Sequence, residues 1–257
     1  MKIIKTPTVK YICSTPNPRR VAAIAARMTY SPRSVETLTE NITNEEISAS
    51  VKAILEKRHF SCLRHVTYTF SVSGVSRALS HQLVRHTVGH SFEQRSQHYR
   101  VEEDPSYIEP PTIEHNASAS VEYQMGLMDA ETTYRRLRQR GVPKEDARMI
   151  LPNGIETQLL WSCNLEAIYN FIKTRACRVN CSEIISVATQ VRKLVLIDFP
   201  EIGPYLGPTC FSQGLCFEGQ KYYKVCNLPW KTPSILWTPK FPEEIEWIGV
   251  EDKHVQK

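Results

Sequence analysis

Residues 65–86 constrain the fold of this chain more than any other stretch. From His65 to Ser73, β-branched and aromatic residues (Val66, Tyr68, Phe70, Val72) alternate with polar ones, the period of a half-buried strand. Gly74 breaks the alternation, and Val75, Leu79 and Leu83 then fall at helical spacing, which predicts a helix from about Val75 to His86. Gln82 and Arg85, three residues apart, share a second face of that helix. The charged residues that follow this stripe fall at the end of the helix.

Residues 82–100, Gln-Leu-Val-Arg-His-Thr-Val-Gly-His-Ser-Phe-Glu-Gln-Arg-Ser-Gln-His-Tyr-Arg, read as the end of this helix and the loop after it. Arg85, His86, His90, Arg95, His98 and Arg100, with His81 just upstream, can all be cationic, and Glu93 is the single acid among them. Such a run suits a bound polyanion such as a nucleotide phosphate, with a basic surface stretch as the alternative reading.

Elsewhere the pattern predicts a strand near Val9–Ser14 and a helix from Asn17–Pro18, and a Thr43-x-x-Glu46 capping box opens another helix. Pro105–Pro111 reads as a linker, and a long helix over Ala117–Arg140 stops at Gly141. Lys144–Leu151 is expected to be a short helix. Thr157–Cys163 could be strand or helix. Leu165–Ala176 and Ser182–Ile197 are expected helices, the second with a buried stripe of Ile184, Val187, Ala188, Val191 and Val195. Beyond Pro200 the chain is rich in Pro, Gly and aromatics, and the tail with Trp230, Trp237 and Trp247 is expected to lie on the surface without regular structure.

With 32 basic and 27 acidic residues the net charge is +5, which fits acidic small ligands and is too weak to argue for nucleic acid as a partner. No apolar run reaches the roughly 18–20 residues that span a bilayer, so no membrane partner is expected. Met-Lys-Ile-Ile-Lys followed by Pro7 does not resemble a secretory signal, so the expected location is the cytoplasm. The eight cysteines then read as reduced thiols. Cys177 and Cys181 could share a helix face, and Cys210, Cys216 and Cys226 could ligate zinc, but paired CxxC spacing is missing and no metal site is assigned.

Five ordered segments resemble the flavin-dependent thymidylate synthase family over about residues 50–220. His59-Phe-Ser-Cys-Leu-Arg-His65-Val-Thr-Tyr-Thr-Phe70 is similar to the family's H-x-S-x-x-E-H-x-x-F-T-F segment. Gly74 to His86 resembles the helix that ends in the RH of its signature. Glu145-Asp-Ala-Arg148 with Leu151-Pro-Asn153 and Glu156-Thr157 resembles its "EDAR…LPN…ET" run. Asn164, Asn170-Phe and Arg175-x-Cys177 resemble the nucleotide-binding helix, and Gly207-Pro-Thr-Cys210 with Cys216-Phe-Glu-Gly219 a C-terminal ending found in part of the family.

The resemblance implies an α/β fold with a central mixed or antiparallel sheet and flanking helices. It implies a catalytic domain over residues 1–220 and a C-terminal extension over 221–257. The implied reaction is methylation of dUMP to dTMP, with methylenetetrahydrofolate giving the carbon, NADPH the electrons and FAD carrying the hydride, in a homotetramer whose sites combine residues of several subunits. Arg175 is the implied catalytic group, lying against the pyrimidine, and no cysteine nucleophile is required. Gln82, Arg85, Gln94, Arg95, Ser96, His98, Arg148 and Arg175 are the expected nucleotide contacts. His59, Ser61, Arg85, His86, Asn164 and Asn170 are the expected flavin contacts. For single residues the plainer readings are an ion pair for Arg148 or Arg175, a loop cap for Ser96, a surface polar group for Asn170 and a structural histidine for His65.

The sequence departs from the family pattern at ligand contacts. The signature is R-H-R, seven residues, then Ser, whereas here Thr87 follows Arg85-His86 and Ser96 comes one residue late. His98 stands where an arginine is usual, Arg64 replaces a glutamate, and Glu166 replaces a flavin-binding arginine, a charge inversion for which Lys173 or Arg178 could compensate. These changes leave open a paralogue that methylates a related nucleotide such as UMP, or one that binds flavin or nucleotide without catalysis.

Overall fold

A computed structural model describes residues 2–219 except residue 103, together with Lys221, Lys224 and Cys226. The chain opens with β1 (Lys2–Ile4) and β2 (Thr8–Ser14), then α1 (Pro18–Arg27), α2 (Val35–Asn41) and α3 (Asn44–Glu56). A 3-10 turn over Phe60–His65 leads into β3 (Thr67–Ser76) and α4 (Arg77–Leu83). After β4 (His90–Gln94) and β5 (Ser106–Ile108) come α5 (Pro111–Glu114), α6 (Ala117–Gln139) and α7 (Lys144–Ala147). The last part holds β6 (Glu156–Asn164), α8 (Leu165–Arg175), α9 (Ser182–Asp198) and α10 (Thr209–Ser212).

Four strands form an antiparallel sheet in the order β2-β3-β6-β4, and β1 pairs in parallel with β5 beside it. One face of the larger sheet is apolar because every second residue of its central strands is: Tyr68, Phe70 and Val72 on β3, Leu159, Trp161 and Cys163 on β6. Phe171 and Ile168 of α8 and Val187, Val191 and Val195 of α9 cover that face and complete one continuous core. A smaller cluster of Tyr107, Leu127 and Ile155 seats α6 against β5.

Local sequence accounts for several element ends. The box at Thr43 is formed in both directions: the Glu46 amide donates to Thr43 Oγ1 (3.2 Å), and the Thr43 amide donates to Glu46 Oε2 (3.1 Å). Glu46 also pairs with Arg27 and Arg33, so one carboxylate ties α3 to α1. Gln190 of α9 pins the start of edge strand β2, accepting from the Val9 amide (3.0 Å) and donating to the Pro7 carbonyl (2.9 Å).

Several sequence expectations need correction. Gly74 does not end the strand; β3 passes through it in a bulge, with Gly74 at φ +65° and its amide bonded to Glu156 Oε1. The helix after it is correspondingly shorter, starting at Arg77 under a Ser76 cap. Residues 90–94, read as loop, form β4, because Phe92 packs on Trp161 while pairing with β6. The Pro105–Pro111 linker contains β5. Thr157–Cys163 resolves as strand, and residues 148–150 form a 3-10 turn that ends the helix expected to reach Leu151. Cys177 and Cys181 do not share a helix, since α8 ends at Arg175 and Cys181 caps α9. His65 is exposed instead of packed. Helix α2, capped by Ser34, and strand β1 had no sequence counterpart. Past Pro200 a 3-10 turn and α10 give regular structure, while Trp230, Trp237 and Trp247 lie outside the described residues.

Thr43→Ala removes the hydroxyl that caps α3, and unfolding free energy by chemical denaturation should fall by about 1 kcal/mol with the m-value unchanged.

Candidate active site

Two short segments and the start of one helix enclose a cavity of about 390 Å³. Arg64 enters from the 3-10 turn, Arg85, His86 and His90 from the segment after α4, and Asn164, Glu166 and Asn170 from the β6–α8 junction. The junction is built by an N-cap: Asn164 Oδ1 accepts the Ala167 amide proton at 2.9 Å, which fixes the side chain and turns its Nδ2 outward from the cap. Gly89 makes room for that amide. It sits at φ +76°, and a Cβ there would stand 2.5 Å from Asn164 Nδ2 and 3.0 Å from Ala167 Cβ. Its carbonyl accepts from the Asn164 backbone amide at 3.0 Å. The loop after α4 therefore turns at a left-handed glycine folded against α8.

Arg175, at the last position of α8, reaches back to the same segment. Its Nε donates to His86 Nε2 (2.9 Å), one terminal nitrogen donates to Asn180 Oδ1 (3.3 Å) and the other to the Gln82 carbonyl (3.4 Å). His86 can accept this bond only as the neutral imidazole with its proton on Nδ1. Burial, and next the Arg175 charge, lower its pKa and hold it in that form. The guanidinium is thus fixed in a half-buried position beside the cavity through His86, which is one of the cavity's walls. Cys181 donates its S–H to Gln82 Oε1 at 3.7 Å.

His90 is held differently. Trp161 Nε1 donates to its Nδ1 at 3.0 Å, and its ring stacks on Trp161 and Phe92 with interplanar angles of 18° and 5°. Burial first, and His86 second, push its pKa down to about 4, so at neutral pH this imidazole is uncharged. Counting it among the cations of the loop was an error that its stacking on Trp161 explains.

The remaining expected residues gather where residues 94–100 dock on α7. Gln94 Nε2 donates to Ser80 Oγ (3.0 Å) and Thr157 Oγ1 (3.1 Å), and Arg95 is ion-paired with Glu156 at 3.0 Å. Ser96 Oγ accepts the amides of His98 and Tyr99, which turns the chain there. His98 Nδ1 lies 3.6 Å from Glu145 Oε2, Lys144 Nζ donates to the Tyr99 carbonyl, and Arg148 Nε donates to the Glu145 carbonyl. So Gln94 and Arg95 are occupied inside the chain, whereas His98 is exposed and Arg148 half-exposed next to it. His59 and Ser61 are exposed on the turn that carries Arg64 and do not line the cavity.

The charge inversion at position 166 has a partner that one-position reading missed. Arg64 grips Glu166 with two nitrogens, Nε on Oε2 and a terminal nitrogen on Oε1 at 3.3 Å. The cation that meets this carboxylate is Arg64, while the Lys173 ammonium lies over the Tyr169 ring. Cys177, Cys210 and Cys216 line a separate cavity, but among the described residues no three His, Cys, Asp or Glu side chains stand together as a metal-holding group.

Comparison with known proteins places the chain in a family. Residues 10–201 match the family described as thymidylate synthase complementing protein. The flavin-dependent thymidylate synthase of Sulfurisphaera tokodaii is 36% identical over 204 residues, covering 79% of this chain and 78% of that protein. The enzyme of the same name from Clostridium tetani is 32% identical over 82% of this chain and 90% of its own length. Among solved structures, the UMP/dUMP methylase PolB of Streptomyces cacaoi, bound with 5-Br dUMP, superposes with a TM-score of 0.68 at 20% identity, over 78% of this chain and 94% of that one, a likeness of fold. This chain is a member of the flavin-dependent thymidylate synthase family. Among its described residues no helix is long and apolar enough to cross a membrane.

The neutral state of His90 predicts a pH dependence. The unfolded chain takes up a proton near pH 6.5, whereas the folded one resists until about pH 4. Folding stability should therefore be complete above pH 6.5 and decline as pH falls toward 4, by at most about 2–3 kcal/mol. Denaturation curves across that range should show the decline, and His90→Phe, which keeps the stack, should flatten it.

Proposed function

We propose that this enzyme carries out the reductive methylation of dUMP to dTMP, taking the carbon from methylenetetrahydrofolate and electrons from NADPH, with FAD bound in the cavity of Arg64, Arg85, His86, Asn164 and Asn170. The observation that carries the reading is the fixed guanidinium of Arg175 beside that cavity, locked by a neutral His86 and by the Gln82 carbonyl.

The residues present suit such a cofactor. Asn164 spends its oxygen on the helix cap and keeps its amide nitrogen for an acceptor-rich ring, and Gly89 leaves the space next to it open. Arg85 is exposed and makes no ion pair among the described residues, which suits an anionic group. Bound flavin supplies the reducing hydride, so the protein need not offer a cysteine nucleophile. Uracil C5 is a poor nucleophile until charge can spread onto N3 and the carbonyl oxygens. Arg175 is the group we assign to holding that charge, and His86 positions it. Because His86 is uncharged, the guanidinium keeps its full field for the substrate.

On the nucleotide side, Gln82, Ser96, His98 and Arg148 are assigned to phosphate and sugar. Ser96 retains its hydroxyl proton to donate, and Arg148 commits only Nε. Gln94 and Arg95 act by fixing the loop that presents Ser96, Gln94 Nε2 bonding Ser80 and Thr157 and one terminal nitrogen of Arg95 pairing with Glu156. His59 and Ser61 belong to the flavin side through the turn they share with Arg64. Exposure of Arg85, Asn170 and Met149 (84%) around the site supports a homotetramer in which neighbouring subunits complete it. Thr87, where the family signature has an arginine, motivates testing a related pyrimidine nucleotide such as UMP beside dUMP.

An anaerobic turnover assay with NADPH, methylenetetrahydrofolate and dUMP, UMP or CMP, with products identified by mass, tests the reading. A mass gain of one methyl on dUMP supports it, methylation of UMP alone selects the paralogue, and NADPH oxidation that no nucleotide stimulates overturns both. Arg175→Lys keeps the charge and loses the planar fork; kcat/KM should fall by about a hundredfold while flavin remains bound, as read by its visible absorbance.

A further inference from the structure

The cavity assigned to flavin contains a contradiction. Its walls carry Arg64 and Arg85, which suit an anion, and also the carboxylate of Glu166, which does not. Glu166 lies in the first turn of α8, and its side chain is only 21% exposed. Arg64 holds both carboxylate oxygens, yet its own side chain remains 63% exposed and reaches the cavity from the opposite wall. Among the described residues Arg64 is the one cation within ion-pair distance of Glu166.

From this geometry we infer that Arg64 is the diphosphate contact of the cofactor cavity, and that Glu166 is its intramolecular competitor, holding the guanidinium until a phosphate replaces the carboxylate. The inference rests on the flavin reading above and names the residue through which that cofactor's charge is met. A guanidinium has five N–H donors in one plane, and the two turned to Glu166 are those a phosphate would engage in a forked contact. The exposed side of the pair is wet, so the exchange of one anion for another costs little desolvation. Glu166 has two consequences. It keeps Arg64 extended across the cavity mouth in the free enzyme, and it lowers anion affinity because the incoming phosphate must displace it and then lie near it.

Arg85 does not compete for this role in the same way. It stands on the far segment, next to His86 and the Arg175 cluster, and is not paired with Glu166. The two arginines can therefore grip different parts of one ligand.

The test is equilibrium binding of FAD to apoprotein by flavin fluorescence, with a parallel arm using ADP by calorimetry, which has the diphosphate without the isoalloxazine ring. Arg64→Gln should weaken both ligands by about tenfold or more, the loss of one forked charged contact. Glu166→Gln, nearly the same shape, should tighten both by about three- to tenfold. Opposite signs separate this assignment from a structural role, in which breaking a wall-to-wall ion pair would weaken binding in both variants. Equal or absent effects, with FAD still bound by the parent enzyme, overturn the assignment of Arg64 and leave the flavin reading standing. If ADP shows the opposite signs while FAD fails to bind, the anion contact stands and the flavin reading falls. Failure of the parent enzyme to bind either ligand overturns both.

Discussion

The indole of Trp161 is the part on which the rest of the molecule depends. It sits fully buried on the central strand β6, with Phe70 of β3 on one side and Phe171 of α8 across it, ring centroids 5.8 and 4.9 Å away. Those contacts lock sheet to helix. Its Nε1–H is spent on His90, and its face stacks on His90 and Phe92, which brings the irregular segment after α4 into the sheet as β4. An indole donor buried in a core needs an acceptor, and the imidazole supplies it only when neutral. Packing thus fixes a protonation state, and that state fixes where the loop runs.

From that anchor the charge pattern of the site follows. His86 and His90 lie 5.7 Å apart between ring centroids, close to the Arg175 guanidinium. Two imidazolium ions there would repel each other and the arginine, and burial disfavours both. Neutral imidazoles relieve that conflict and act as acceptors, one for Arg175 and one for Trp161. A segment that looks strongly basic as a string of letters is therefore less so in the fold. Of its arginines, Arg95 is paired with the Glu156 carboxylate, while Arg85 is left exposed at the cavity.

The fold was legible in the sequence wherever one face of an element is buried. The stripe on α9, the box at Thr43, the stop at Gly141 and the pairing face of β3 all follow from spacing and cap chemistry. What escaped was set by partners distant in sequence. Strand β4 has only five residues and exists because β6 offers an edge and Trp161 a surface. Strand β1 has three residues and needs β5 to exist at all. Gly74 reads as a breaker, yet Glu156 takes its amide and holds it inside the strand as a bulge, where a Cβ would stand 3.3 Å from Ile4 and from the Thr6 carbonyl. For the site, Arg175 is bonded to His86 and to the Gln82 carbonyl, and Asn164 lines the same cavity as His86. Gln94 and Arg95 instead turn inward, because Ser80, Thr157 and Glu156 stand opposite them, a fact no local pattern contains.

The departures from the family pattern look like damage when taken singly and like compensation when taken in space. A glutamate at 166 beside an anion site is unfavourable alone, and an arginine at 64 in place of an acid is unexplained alone. They lie 102 positions apart and form one ion pair, so the pocket keeps one positive and one negative group with their supporting elements exchanged. The segment between α4 and β4 depends on one turn in the same way: Gly89, at φ +76°, reverses the chain against the amide of Asn164 and leads His90 onto Trp161.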